Sequence, residues 1–270
     1  MDQYRVYGNP IAQSKSPIIH QSFAIETQQP IRYEKELVPL DAFEETVKAF
    51  IAEGGKGANV TAPFKEQANK LCDQLSERAK LSGAVNTLIF SNGKIYGDNT
   101  DGIGLVQDLL NHQVIIQNKK ILLIGAGGAA KGVVSSLLAQ SPIQLVIANR
   151  TVAKAQAIVD QYSTHRIKAS SFDDLINFEF DIIINATSAG LTGSTLPIPS
   201  KLITDSTVCY DMVYGKQLTP FLKKAEQLGA EKVIDGLGML VGQAAESFTL
   251  WRNKRPTTET VLKKLRAELA

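Results

Sequence analysis

The sequence predicts an α/β protein of two domains, the second built on a parallel sheet. Three observations carry this expectation. The chain has 270 residues, well beyond the roughly 100 to 150 that one core usually serves. Strand-like and helix-like segments alternate along its length. From Lys119 onward the strands become short and continuously apolar, the pattern of a sheet covered on both faces. With 44% hydrophobic and 21% charged residues, the chain has ample apolar material for two cores, and the composition excludes a disordered protein.

In the first hundred residues the order is a strand at Tyr4 to Tyr7, a helix opening at Ser16-Pro17, a strand near Tyr33 to Val38, a helix from Ala42 and a strand at Ala58 to Thr61. Proline suits the first turn of the first helix, where its missing N–H is not needed. Asp41 and Glu44 have capping-box spacing, Phe43, Val47, Phe50 and Ile51 repeat at helical intervals, and Gly54-Gly55 ends that helix. A hairpin follows, with Asn92-Gly93 as a two-residue turn between Asn86 to Phe90 and Lys94 to Tyr96. If Ser91 faces Lys94, the register sets Ala84 against Asp101 and brings Asn86 diagonally across from Asp101 on the same face. The next helix starts near Asp101, with Leu105, Val106, Leu109 and Leu110 as its apolar stripe, and bridges to the second domain.

The second half repeats strand and helix: Ile121 to Ile124, Ala129 to Leu138, Leu145 to Ala148, Val152 to Tyr162, Ile182 to Ile184 and Val208 to Asp211, with helices over Met239 to Arg252 and Thr258 to Leu269 closing the chain. The segment Gly125-Ala126-Gly127-Gly128-Ala129-Ala130 follows the first of these strands directly and opens a helix. This placement turns a G-x-G-x-x-A pattern into a dinucleotide site. Gly125 permits the tight turn, Gly127 lets a pyrophosphate approach bare backbone, and Ala130 allows helix and strand to pack closely, while the helix N-terminus supplies amide donors. The alternative is a structural glycine loop. The next strand ends in Asn149-Arg150-Thr151, where an NAD-selective site would carry a carboxylate. Arg150 suits a 2'-phosphate and can stack on adenine, Asn149 and Thr151 can donate hydrogen bonds, and Lys154 adds charge one turn on. The expected cofactor is therefore NADP(H), the alternative being an exposed arginine beside a threonine cap.

The net charge of +2 argues against nucleic-acid or membrane partners. Cys72 and Cys209 lack metal or disulfide spacing and are expected reduced and buried. No metal is expected, because no His, Cys and carboxylate cluster has ligand spacing. His20, His112 and His165 offer no catalytic pattern. The start Met1-Asp2-Gln3-Tyr4-Arg5 lacks a leader pattern and no apolar run reaches membrane-spanning length, so a cytoplasmic protein is expected.

A cofactor cradle alone makes a binding module. The chemistry falls instead on Asn59-Val60-Thr61-Ala62-Pro63-Phe64-Lys65, which runs from a strand end into a helix start. Lys65 there, with Asp101 at the open end of the hairpin, makes a proton-transferring ammonium oriented by a carboxylate. Lys65 also reads as a surface charge and Asp101 as a helix cap. Ser14-Lys15-Ser16 reads either as a carboxylate seat or as a capped helix start.

With these residues assembled, the chain resembles the shikimate dehydrogenases, NADP-dependent enzymes on the route to chorismate and the aromatic amino acids. The resemblance rests on Gly8-Asn9-Pro10-Ile11, Ser14-Lys15-Ser16-Pro17, Asn59-Val60-Thr61 with Pro63 and Lys65, Gly83-Ala84-Val85-Asn86-Thr87 and Gly97-Asp98-Asn99-Thr100-Asp101-Gly102 in one half. In the other it rests on the glycine turn, Asn149-Arg150-Thr151, Asn185-Ala186-Thr187-Ser188-Ala189-Gly190, Asp211-Met212-Val213-Tyr214, Asp235-Gly236-Leu237-Gly238-Met239-Leu240 and Gln243-Ala244.

The resemblance implies reversible NADPH-dependent reduction of 3-dehydroshikimate to shikimate. Lys65 and Asp101 would be catalytic, and would also bind the substrate. Ser14, Ser16 and Tyr214 would hold the substrate carboxylate, and Asn59, Thr61, Asn86 and Gln243 the ring oxygens. Gly125, Ala126, Gly127, Gly128, Ala129, Asn149, Arg150, Thr151, Lys154, Thr187, Met212, Gly236 and Met239 would line NADP, with Glu77 carried over as well. Lys154 stands where many relatives have arginine. It further implies a discontinuous substrate domain of residues 1–101 and 239–270, a linking helix over 102–118 and a Rossmann-like NADP domain over 119–238. Catalysis would take place in a cleft between the domains of a monomer or homodimer. The alternatives are a quinate/shikimate dehydrogenase of broader range and an NADP-sensing protein without turnover.

Overall fold

The computed structural model describes residues 1–188 and 195–269. Ala189 and Gly190, the end of one motif above, lie outside them. Two compact units are present: Met1–Gly104 with Leu240–Lys264, and Leu105–Met239 with Leu265–Ala270.

The first unit carries β1 (Asp2–Gly8), α1 (Ser16–Thr27), β2 (Ile31–Leu37), α2 (Phe43–Ala52), β3 (Gly57–Val60), α3 (Lys65–Leu71), β4 (Gln74–Leu75), α4 (Glu77–Ser82), β5 (Thr87–Ser91) and β6 (Lys94–Asp98). Its sheet runs β2-β1-β3-β5-β6-β4. The sheet is mixed: β1 is parallel to β2 and β3, whereas β5 is antiparallel to both β3 and β6. Tyr7, Val47, Phe50, Val60, Phe64 and Leu88 form its core, with the Phe43 and Phe64 rings stacked 5.0 Å apart.

The hairpin register is as expected at the turn, Ser91 opposite Lys94, but the ladder ends at Thr87 opposite Asp98. Ala84 does not face Asp101; its carbonyl takes the Asn99 side chain instead, at 3.0 Å. Asp41 does not cap α2 either. A turn closed by Ala42 N–H on Pro39 C=O sets it one residue early, and Ala42 occupies the cap position without a side-chain bond.

The second unit carries β7 (Lys120–Ile124), α6 (Gly128–Ala139), β8 (Gln144–Ala148), α7 (Val152–Val159), β9 (Ile167–Ser170), β10 (Ile182–Asn185), β11 (Val208–Asp211), α8 (Pro220–Gln227) and β12 (Lys232–Asp235). Every strand pairing is parallel, in the order β12-β11-β10-β7-β8-β9. Alternate residues serve opposite faces. Ile121, Leu123, Ile147, Ile182 and Ile184 pack into one core with α6 and α7, and Leu122, Ile124, Val146, Ile183 and Cys209 into the other with α8. This two-sided burial explains the continuously apolar strands. The chain order reverses direction between β7 and β10, the place where sheets of this kind bind nucleotides.

Helix α5 (Asp101–Asn111) and helix α9 (Leu237–Arg252) each contain a point where the division between units falls. Helix α5 stops at Asn111, short of the 118 expected, where Gln113 takes a φ of 60°. Leu110 is 47% exposed and so lies off the apolar stripe that Leu105, Val106 and Leu109 form. The last helix, α10 (Glu259–Leu269), starts in the first unit, but from Leu265 the chain groups with the second. There the Arg266 guanidinium forks onto both oxygens of Asp235 at 2.7 Å. Cys209 is buried and Cys72 only half-buried, its thiol donating to Ala68 C=O; burial pushes both thiols up to about 12. Among the described residues no helix is long and apolar enough to cross a membrane, and no group of three or more His, Cys, Asp or Glu could hold a metal.

Candidate active site

In the first unit, Lys65 opens α3 directly after the β3 loop, and Asp101 opens α5 directly after the β6 loop. Their side chains meet, Lys65 Nζ donating to Asp101 Oδ2 at 2.5 Å, with Lys65 a quarter exposed and Asp101 mostly buried. The other carboxylate oxygen accepts from Asn86 Nδ2 at 2.8 Å. Both Asp101 oxygens are thus engaged by side chains, so the carboxylate is not spent on capping its helix. Its negative charge still sits in the first turn of α5, where the helix dipole favours it.

Asn86 is only 2% exposed, and its orientation is fixed. Its Oδ1 accepts from Thr100 N–H at 2.9 Å, which leaves Nδ2 to point at Asp101, Thr100 Oγ1 and Gln243 Oε1. Gln243 comes from α9 and donates its own amide to Leu240 C=O. Lys65, Asp101, Asn86 and Gln243 are therefore brought together. Asn59 lies behind them, 5% exposed, with Oδ1 taken by the Tyr33 hydroxyl at 2.7 Å and Nδ2 shared among Asn86 C=O, Thr87 Oγ1 and Ser247 Oγ. Thr61 follows β3, its backbone N–H held by Tyr7 C=O. Ser14 Oγ accepts from Ser16 N–H at 3.3 Å at the start of α1, where Lys15 occupies the cap position without a side-chain cap.

Sequence reasoning missed Thr87, Thr100, Ser247 and Tyr33 as members of this network. One signal was available: Ser247 lies four residues after Gln243, on the same helix face.

In the second unit the expected cofactor residues collect at the carboxyl ends of the strands: Gly125 after β7, Asn149 after β8, Thr187 after β10, Met212 after β11 and Gly236 after β12. Gly125 has a φ of 113°, and a Cβ on it would sit 3.2 Å from the Ala186 carbonyl oxygen. Both facts require glycine. At Gly127 and Gly128, by contrast, an added Cβ would meet nothing within 4 Å among the described residues, which leaves bare backbone for a ligand. Gly127 caps α6 without a side chain, which leaves the helix amides free to receive a phosphate.

Beyond β8, the Asn149 amide donates to Thr151 C=O at 2.9 Å. Thr151 occupies the cap position of α7 but makes no side-chain cap, so its hydroxyl is not committed to the helix. Arg150, Thr151 and Lys154 are exposed and, among the described residues, form no ion pair. These residues fit a dinucleotide with a third phosphate.

Thr187 donates its hydroxyl to Asn185 Oδ1 at 2.7 Å, and Asn185 in turn binds Asp211, which also accepts from Thr219 and Val213 N–H. Burial pushes Asp211 upward, and these donors oppose it. This Asn185–Asp211–Thr219 buttress, also missed, holds the loop bearing Met212 and Tyr214. The Tyr214 phenol is raised by burial and by Asp235, and so stays a neutral donor. Met239 is largely buried in the core, with Met212 packed against it. Glu77 lies on α4 of the first unit, its carboxylate paired with Lys80.

Gly236 supports a prediction. A Cβ there would press into the Met212 carbonyl oxygen, so Gly236→Ala should cost about 1 to 3 kcal/mol, read as a lower denaturation midpoint, and weaken NADP binding in the same preparation.

Three family models match the chain: the shikimate dehydrogenase substrate binding domain over residues 6–88, shikimate / quinate 5-dehydrogenase over 107–193, and the shikimate 5'-dehydrogenase C-terminal domain over 236–266. A shikimate dehydrogenase (NADP(+)) from Colwellia psychrerythraea is 60% identical over 268 residues, 99% of this chain and 98% of the relative. Among solved structures, an Ael1 enzyme from Pseudomonas putida is 45% identical with a TM-score of 0.95, covering 98% of each chain. A shikimate 5-dehydrogenase from Thermus thermophilus, in complex with NADP(H) and shikimate, is 30% identical with a TM-score of 0.90 and full coverage of both chains. By its sequence along nearly its whole length, and by the fold that presents Lys65, Asp101 and the glycine turn, the chain belongs to the shikimate dehydrogenase family.

Proposed function

We propose that the chain catalyses the reversible NADPH-dependent reduction of 3-dehydroshikimate to shikimate, on the route to chorismate and the aromatic amino acids. The observation that carries this is the Lys65–Asp101 pair at 2.5 Å, with Asn86 on the other carboxylate oxygen. NADP held at the glycine turn would supply the hydride acceptor for oxidation of the carbinol carbon, and NADPH the hydride donor for the reverse reduction. Lys65 Nζ exchanges the proton of the reacting oxygen, giving it up in reduction and taking it back in oxidation, while Asp101 holds the ammonium in place.

Ser14, Ser16 and Tyr214 bind the substrate carboxylate through neutral hydroxyl donors, and Asn59, Thr61, Asn86 and Gln243 its ring oxygens. Residues 1–101 and 239–270 serve the substrate, and 119–238 the cofactor. Gly125 to Ala129, Asn149, Thr187, Met212, Gly236 and Met239 line NADP, and Arg150, Thr151 and Lys154 take its 2'-phosphate. Glu77 stays in this set on the resemblance alone. The enzyme is cytoplasmic and monomeric or homodimeric. This reading is tested by incubating the protein with NADPH and 3-dehydroshikimate and identifying the product by mass: shikimate supports it, and an unchanged substrate removes it.

Arg150 supplies the cofactor preference. Arg150→Ala should weaken NADP binding about tenfold to a hundredfold, the worth of about 1.5 to 3 kcal/mol for bonds to a charged group, and leave NAD binding within about twofold. Equal losses for both nucleotides would place Arg150 on adenine alone.

A further inference from the structure

The carboxylate of Asp101 is held by Asn86, and Asn86 is itself held by side chains to which no role in the reaction has been given. The Thr87 hydroxyl donates to Asn86 Oδ1 at 2.8 Å and lies 2.8 Å from Ser247 Oγ. Ser247 Oγ also donates to Gln243 C=O at 3.0 Å, and in its contact with Thr87 either hydroxyl can be the donor. Ser247 Oγ in turn accepts from Asn59 Nδ2 at 3.1 Å, and Asn59 Oδ1 accepts from the Tyr33 hydroxyl at 2.7 Å. Thr100 closes the ring from the other side: its N–H donates to Asn86 Oδ1, and its hydroxyl accepts from Asn86 Nδ2 at 2.9 Å. Thr87, Thr100 and Ser247 are all fully buried.

The contacts run without a break from Tyr33 through Asn59, Ser247, Thr87 and Asn86 to Asp101, which meets Lys65 on its other oxygen. Hydrogen bonds linked in this way polarise one another, and a buried polar group that loses its partner pays its desolvation cost in full. The relay also joins distant parts of the chain, since Thr87 and Ser247 are 160 residues apart. Core stability alone would be served as well by apolar side chains of the same shape.

We propose that Thr87 and Ser247 are positioning residues for the reaction, fixing the Asn86 amide so that Asp101 and Lys65 meet in the proton-transferring geometry. This rests on the function proposed above. Neither side chain touches substrate or cofactor; Thr87 acts on Asn86 directly and Ser247 acts through Thr87. Their loss therefore acts on the chemical step more than on binding.

The test is a steady-state comparison of shikimate oxidation with NADP by the native protein, Thr87→Val, Thr87→Ser and Ser247→Ala. Valine keeps the branched shape on β5 and removes only the hydroxyl, whereas serine keeps the hydroxyl. Misplacement of a catalytic pair by about 1 Å can cost on the order of a hundredfold, so Thr87→Val should lower kcat about tenfold to a hundredfold while KM for shikimate moves less than about threefold. Thr87→Ser should return kcat to within about threefold of native, and Ser247→Ala should follow Thr87→Val in direction. A native kcat in folded Thr87→Val, a rise confined to KM, or a Thr87→Ser protein as slow as Thr87→Val would overturn the positioning role while native turnover stands. Absence of turnover in the native protein would instead remove the dehydrogenase reading and the positioning role with it. If Thr87→Val does not fold, Ser247→Ala decides by the same split between kcat and KM.

Discussion

Lys65→Ala should lower kcat for shikimate oxidation by about a hundredfold to ten-thousandfold, the usual worth of a positioned general acid or base. Lys65 Nζ is the cation on Asp101 Oδ2, and Asn86 on the other oxygen is a neutral amide. Neither Asn86 nor Gln243 can take up and release a proton at neutral pH, so the pair has no substitute for the ammonium. NADP affinity should stay within about twofold, because Lys65 is not among the residues assigned to the nucleotide. Steady-state kinetics and a nucleotide titration on one preparation check both statements. A variant that turns over at the native rate would show that Lys65 only anchors the substrate.

The second large effect concerns stability in acid. His20 is fully buried on α1, stacked on Tyr33 at 4.2 Å and packed against Phe23, Phe248 and Trp251. Among the described residues neither ring nitrogen has a hydrogen-bond partner. Burial pushes the imidazole down to about 3, and Asn59, near but outside hydrogen-bonding geometry, opposes this only in part. Unfolded, the same group titrates near its ordinary value of about 6.5. Between those two values the unfolded chain holds one more proton than the folded one, so stability falls as pH falls, by about 1.4 kcal/mol for each unit. Above pH 6.5 this contribution is fully present; below about 3 it is gone.

His20→Phe keeps a stacked ring and removes the titration. Urea unfolding measured from pH 7 down to 4 should show a shallower loss of stability in that variant than in the native protein. Parallel slopes would mean that His20 is protonated, or reaches water, in the folded state.

The cofactor half was easier to read from sequence than the substrate half, for a physical reason. The glycine turn is local: Gly125 to Ala130 carries its own geometry within six consecutive residues, and central strands buried on both faces announce themselves as apolar runs. The edge strands β9 and β12 do not. Lys168 and Lys232 on them meet solvent on one side, so the runs are broken. The buttress of Asn185, Asp211 and Thr219 was equally silent, since three polar side chains far apart in sequence carry no period.

In the first unit the Asn92-Gly93 turn gave the register, and from it the meeting of Asn86 with Asp101. The pairing of Ala84 with Asp101 failed because the ladder stops at Thr87, after which the chain turns to bond Lys65 and Asp98. Asp41 had the right spacing for a cap, but the preceding turn at Pro39 displaced it. Thr87 and Ser247 stood in plain view as hydroxyls, yet only the fold sets one against the other.

The most direct measurement of the central claim is the initial rate of NADP reduction by the native protein with shikimate, set beside quinate with NADP and shikimate with NAD. Efficient turnover is expected for shikimate with NADP, with kcat/KM at least about tenfold lower in either other pairing. Quinate or NAD used as well as shikimate and NADP would contradict the proposed specificity. No reduction of NADP in any pairing would contradict the account as a whole and leave a protein that binds the nucleotide without using it.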